Sequence, residues 1–143
     1  MTDRVCATIE IFLRQKGYKL TKSRREVIRI FRQAATPLSV SDVHQRLAET
    51  AADLASIYRT IHLLCDLGVI TKLEFHEHTY RYELSDLFAP HHHHLICRNC
   101  GVIENLFNEC LPVGLEEKIL AQAGFQVESH VLEFFGTCRN CSK

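Results

Sequence analysis

Two C-x-x-C turns, Cys97-Arg98-Asn99-Cys100 and Cys138-Arg139-Asn140-Cys141, constrain the fold of this chain more than any other feature. Four thiolates from two such turns make the tetrahedral all-sulfur set that zinc prefers. The gap between the turns is longer than in a minimal zinc ribbon. The segment between them must therefore fold before the pairs can meet, and the metal then staples the whole C-terminal part. A redox centre of thioredoxin type needs one pair at a helix start, not two matched pairs. Seven cysteines are an odd number that cannot all pair within one chain. The opening residues carry charges where a secretory peptide needs an apolar stretch, so the expected location is the reducing cytoplasm. No run approaches the ~20 apolar residues of a membrane span, and no membrane partner is expected.

Ahead of the first turn stands His91-His92-His93-His94. If this run begins a strand, His91 and His93 point to one side and His92 and His94 to the other, so one run feeds two metal sites. Imidazole is the commonest metal ligand near neutral pH. The neighbouring residues able to complete such sites are Glu83, Glu104, His76, His78 and His130. A closed four-cysteine site contributes folding free energy and exchanges metal reluctantly, which suits it poorly to sensing. A mixed imidazole and carboxylate site at a lobe junction suits it better. Glu83 with His92 and His94 would then fix the angle between the lobes.

The N-terminal half reads as helices. Val5, Ile9, Phe12 and Leu13 recur at helical spacing and stop at Gly17. Thr21 and Ser23 both offer a cap to a second helix, with Ser23 and Glu26 at capping-box spacing. Ser39 and Asp42 cap a third. Asp53 starts a fourth, whose Ile57, Ile61 and Leu64 face inward and whose Ala55, Arg59, His62 and Asp66 face out, up to Gly68. Residues 69–75 and 79–84 read as a hairpin. This order predicts a winged helix-turn-helix over 1–84, a linker over 85–90, and a second lobe over 91–143 with short strands and one helix, about Leu115 to Ala123. The fold class is α+β. The net charge of zero hides an asymmetry: residues 1–84 carry 13 Lys/Arg against 10 Asp/Glu, and 85–143 carry 4 against 7.

With these residues in view, the chain resembles the Fur (ferric uptake regulator) family of metalloregulators. The resemblance rests on 17–24 (GYKLTKSR), 56–61 (SIYRTI) with Leu67-Gly68, 91–101 (HHHHLICRNCG), and Gly124-Phe125 through His130 to Gly136-Thr137-Cys138. It implies a winged-helix DNA-binding domain, a dimerisation domain, and metal as co-repressor. Cys97, Cys100, Cys138 and Cys141 fall on the family's structural zinc ligands. Glu83, His92 and His94 fall on its regulatory site, and His91, His93 and His130 on a further site. His93 replaces the Asp that many iron and peroxide sensors carry, a pattern similar to the zinc uptake regulators. Pro37 stands where iron sensors carry a regulatory His. Glu104 sits one position before the acidic ligand that follows the first knuckle, and is assigned with it to the regulatory site. The acidic ligand of the long helix has no match near Val113. Glu109, Cys110 and Glu116 are the available substitutes.

The expected function is a zinc-responsive repressor, binding palindromic double-stranded operator DNA as a homodimer, with structural Zn(2+) and regulatory Zn(2+). Fe(2+) or Mn(2+) are the alternatives for the regulatory ion, which makes an iron-responsive or peroxide-sensing member the alternative function. Arg59 and Tyr58 are the base-reading residues, since arginine pairs with guanine O6 and N7. Ser56 and Thr60 are assigned to phosphates, and Lys19 and Arg24 to the backbone or a groove edge. A zinc hydrolase is the distant alternative. It lacks an H-E-x-x-H helix and a paired acid and base, so neither catalysis nor a small-molecule substrate is expected.

Overall fold

The computed structural model describes residues 3–47, 53–75, 79–107 and 114–142. His76, His78, Glu109, Cys110 and Val113 lie outside the described residues. The chain forms two compact units, Met1–Ala89 and Pro90–Lys143.

In the first unit the helices begin at side-chain caps. Helix α1 (Arg4–Gln15) starts at Asp3, whose carboxylate accepts from the Val5 amide, and ends before Gly17, which takes the left-handed φ of 82°. Helix α2 (Lys22–Gln33) is capped by Thr21 rather than Ser23, and Glu26 pairs instead with Arg29 at 2.8 Å. The reciprocal box of Ser39 and Asp42 starts α3 (Val40–Arg46). Asp53 caps α4 (Leu54–Asp66), after which Gly68 turns the chain at φ 68°. A hairpin follows, β1 (Ile70–Glu74) against β2 (Tyr80–Leu84), with Ile70 opposite Leu84 and Glu74 opposite Tyr80. Leu38 exchanges two backbone hydrogen bonds with Tyr82, at 2.9 and 2.8 Å, tying the hairpin to the start of α3.

The core of this unit takes one stripe from each helix: Ile9 and Leu13, Val27, Ile28 and Phe31, Val43, then Ile57, Ile61 and Leu64. Each such buried side chain contributes ~1.5–3 kcal/mol relative to exposure. Three helices on which a fourth and a hairpin are packed form a winged helix-turn-helix, with α4 in the recognition position. Most of the segment expected as a linker groups with the first unit. The Ser85 hydroxyl donates to the Gly68 carbonyl at 2.7 Å, and Phe88 meets Phe12 edge-on at 5.8 Å, so residues 85–89 close the first unit.

The second unit is built on β3 (His92–Cys97), flanked by antiparallel β4 (Ile103–Phe107) and parallel β5 (Glu133–Gly136). A parallel neighbour needs a crossover connection, and α5 (Leu115–Ala123) lies within it, bounded by Gly114 and Gly124 at φ 85° and 63°. No residue of α5 is buried. Phe125, Val131 and Phe134 are also exposed. Among the described residues no helix is long and apolar enough to cross a membrane.

Candidate metal centres and nucleic-acid face

The parallel pairing of β3 with β5 is what joins the two knuckles. Cys97, the last residue of β3, stands opposite Gly136, the last of β5, and the Arg98 amide donates to the Gly136 carbonyl at 2.8 Å. Each strand then runs into its turn at the same end of the sheet. The first turn closes through Gly101 to the Cys97 carbonyl at 2.9 Å, the second through Cys141 to the Cys138 carbonyl at 3.0 Å. The sulfurs of Cys97, Cys100, Cys138 and Cys141 all lie within 4.8 Å of one another. Amides of Cys138 and Cys100 point at the Cys97 sulfur and hold its pKa down to about 6, while hydrogen bonding with the Cys100 and Cys138 thiols pushes Cys141 up to about 12. Four thiols crowded this closely share protons, and a dication relieves that crowding by taking all four as thiolates. The donor set therefore fits zinc.

The histidine run divides as the pleat requires. On one face His91 and His93 have ring centroids 4.7 Å apart, and His130 joins them at 4.9 Å from His91 and 5.5 Å from His93. Each of the three offers one nitrogen within 4.8 Å of the others. His93 is 2% exposed, and its Nε2 is buried with no hydrogen-bond partner. Burial, then the neighbouring imidazoles His91 and His130, lower its pKa, so it stays neutral and able to ligate. A buried imidazole nitrogen left without a partner is costly, and ligation satisfies it. Glu116, at the start of α5, reaches His130 Nδ1 at 3.7 Å and is the one substitute carboxylate found beside this cluster among the described residues. On the opposite face His92 and His94 have centroids 5.0 Å apart, and His92 Nδ1 lies 3.0 Å from the Pro90 carbonyl.

One expected ligand is displaced by geometry. Glu104 stands opposite Leu95 in the β3–β4 register, and antiparallel partners share a face. It therefore lies with His93 and Leu95, not with His92 and His94, and lines a cleft of about 680 Å³ with Leu95, Cys97 and Cys138. Asn105 is the residue opposite His94. The sequence shows that Glu104 is one position early, and in a strand one position changes the face. Glu83 lies half-buried on β2. Pro37 is fully buried in the first unit and has no donor atom on its side chain.

On α4, Tyr58 is 47% exposed and Arg59 is exposed beside it. The guanidinium Nη2 of Arg59 donates to the Ser56 hydroxyl at 2.9 Å. Thr60, expected at a phosphate, is instead 8% exposed: it falls between Ile57 and Ile61 on the inward stripe. Arg24 also departs from expectation. Its side chain is half-buried and Nη1 is spent on the Lys19 carbonyl, so it braces the turn between α1 and α2 and leaves Lys19 as the exposed cation. Lys19 edges a shallow groove of about 500 Å³ with Arg14, Tyr18 and Arg25. On the hairpin, the Lys72 ammonium lies 3.3 Å from the Tyr80 ring centroid, a contact the sequence reading did not anticipate and that the β1–β2 register produces.

Comparison with known proteins agrees with this architecture. The model of the ferric uptake regulator family matches residues 15–135. A ferric uptake regulation protein of Bacillus subtilis (strain 168) is 34% identical over 134 residues, covering 91% of this chain and 89% of that protein. The ferric uptake regulator of Helicobacter pylori, described as having three functional metal binding sites, shares the fold at a TM-score of 0.78 and 24% identity, over 97% of this chain and 92% of its own. A zinc-bound manganese uptake regulator superposes with a TM-score of 0.67 at 28% identity, over 92% of this chain and 98% of that one.

Proposed function

Given that this chain belongs to the ferric uptake regulator family, whose members are DNA-binding, metal-responsive transcription regulators and not enzymes, we propose that it is a zinc-responsive repressor acting as a homodimer on palindromic operator DNA. The observation that carries the choice of metal is the nitrogen-only cluster of His91, His93 and His130, with the buried, unpartnered Nε2 of His93 at its centre. Imidazole suits zinc, whereas iron(II) and manganese(II) sites usually add carboxylate oxygens. The four cysteines are the structural zinc ligands, and a bound dication there supplies folding free energy.

Glu83, His92 and His94 are the regulatory ligands in this reading, which draws its support from the donor chemistry of the three residues and from the family resemblance. A bound ion that favours the DNA-binding state shifts the population toward it, which couples metal occupancy to operator binding. Lys19 and Arg59 supply the cationic contacts to DNA and Tyr58 an apolar one. The dimer is supported by α5, which buries none of its side chains within its own chain, and by the exposed Phe125, Val131 and Phe134. Apolar surface of this kind marks an interface.

An iron-responsive regulator is the second reading, favoured by the name of the Bacillus subtilis relative and by the carboxylate in the Glu83, His92 and His94 set. Fluorescence anisotropy on DNA selected by the protein, under buffered free zinc, iron(II) and manganese(II), separates the two. Tight binding at the lowest free zinc supports the zinc reading. Tightening by iron(II) with no response to zinc overturns it.

A further inference from the structure

The N-cap of α4 does more than start a helix. Asp53 Oδ1 accepts from the Ser56 amide at 2.8 Å, and Oδ2 accepts from the Ser56 hydroxyl at 2.8 Å. The same hydroxyl oxygen accepts from Arg59 Nη2 at 2.9 Å. The direction of this chain is forced. A carboxylate only accepts and a guanidinium only donates, so the Ser56 proton must point to Asp53 and its lone pair to Arg59. All three groups are at the surface of the helix that the proposed function puts against DNA, and the carboxyl of Asp53 is held below its ordinary range by the Ser56 hydroxyl, the Ser56 amide and the nearby Arg59 charge.

We propose that Asp53 is a specificity-determining positioning residue, which through the Ser56 hydroxyl aims the Arg59 guanidinium at a base edge and sets the ratio of specific to non-specific DNA affinity. Three physical effects converge on that ratio. A free arginine loses rotamer freedom when it docks, and a side chain already aimed loses less. One of its five N–H groups is used on Ser56, which leaves a parallel pair for the two acceptors of a guanine. The third effect is repulsive: a carboxylate at the DNA face disfavours phosphates at random register, and only a site where Arg59 finds its base offsets that repulsion.

This inference rests on the reading in which Arg59 contacts bases, and the test separates the two. The zinc-loaded full-length protein is titrated against a duplex it selects from a random library and against a scrambled duplex, at several salt concentrations. Asp53→Asn keeps an equivalent N-cap but loses the charge and one acceptor oxygen. Ser56→Ala removes the middle of the chain, and Ser56→Thr restores the hydroxyl. The expected result is a fall of about tenfold in the specific to scrambled ratio for Asp53→Asn and for Ser56→Ala, within the range of one bidentate base contact. Ser56→Thr should recover the ratio, and the Asp53→Asn, Ser56→Ala pair should lose little more than either alone. Thermal melts identify any variant that has lost its helix, and in that case the Ser56→Ala against Ser56→Thr comparison decides alone. If Arg59→Ala collapses the ratio while Asp53→Asn and Ser56→Ala stay within twofold of the parent, the positioning role is overturned and base reading by Arg59 stands. If Arg59→Ala leaves the ratio intact, both fall.

Discussion

The amide of Cys138 donates to the sulfur of Cys97 at 3.3 Å, so one knuckle is hydrogen-bonded to the other before any metal is considered. Such N–H···S contacts lower the pKa of a ligating thiol and fix its orientation.

Cys97→Ser should accordingly remove about one zinc equivalent per chain and unfold the second unit, because binding free energy at a closed site is folding free energy. Zinc content by mass spectrometry and size-exclusion chromatography check this together. A folded variant with the parent's zinc content would falsify the four-cysteine assignment.

A triple substitution of His91, His93 and His130 by Ala tests the imidazole cluster independently. It should lose one further metal equivalent while retaining the cysteine-bound one. Competition with a chromophoric chelator counts both, and an unchanged stoichiometry would remove the cluster from the list of metal sites. In the same assay Glu116→Gln should weaken that site about 10-fold, as loss of a carboxylate beside a ligating imidazole does.

His93 also predicts a pH dependence. Its folded pKa lies below its ordinary value of 6.5, so the unfolded chain takes up the proton first on acidification. The stability contributed by neutral His93 is present above about pH 6.5 and declines as the pH drops below it toward the lower folded pKa. Denaturant titrations of protein that carries only its cysteine-bound zinc, between pH 8 and 5, should show this decline, and His93→Phe should flatten it. A stability that rises on acidification in the parent contradicts the sign.

His92→Ala with His94→Ala should keep the fold and the cysteine-bound zinc but lose the metal dependence of DNA binding. Gel shifts with and without added zinc check this, and a variant that still responds to zinc as the parent does would exclude that pair as regulatory ligands.

Lys19→Ala and Arg59→Ala should part company in salt. The first should weaken selected and scrambled duplexes alike and reduce the salt slope by about one, and the second should cost about 1–3 kcal/mol on the selected duplex alone. Anisotropy at four salt concentrations yields both quantities.

Legibility from sequence tracked how local each feature is. Caps at Thr21, Ser39 and Asp53 form within three residues, and Gly124 marks the end of α5. The split of the histidine run followed from the period of a strand alone. What escaped depended on partners far along the chain. The face taken by Glu104 is set by a register with β3, a matter of one residue. The hydroxyl of Thr60 suggests a phosphate contact, but the residue lies three positions after Ile57 on a stripe that the core claims. The basic run assigns Arg24 to the DNA backbone or a groove edge, and only the turn geometry shows the Lys19 carbonyl waiting for it. The parallel partnership of β3 and β5 was also beyond the periodicity, since nothing in either strand names its neighbour.

That partnership has a consequence during synthesis. β5 and the second knuckle are made after the other elements of the second unit, and His130 emerges shortly before them, so neither the sulfur centre nor the three-imidazole cluster can assemble on a ribosome-bound fragment that stops short of them. The first unit, with its own core, is finished long before. A product terminated before those residues would therefore be a reading head that lacks both the sulfur centre and the three-imidazole cluster.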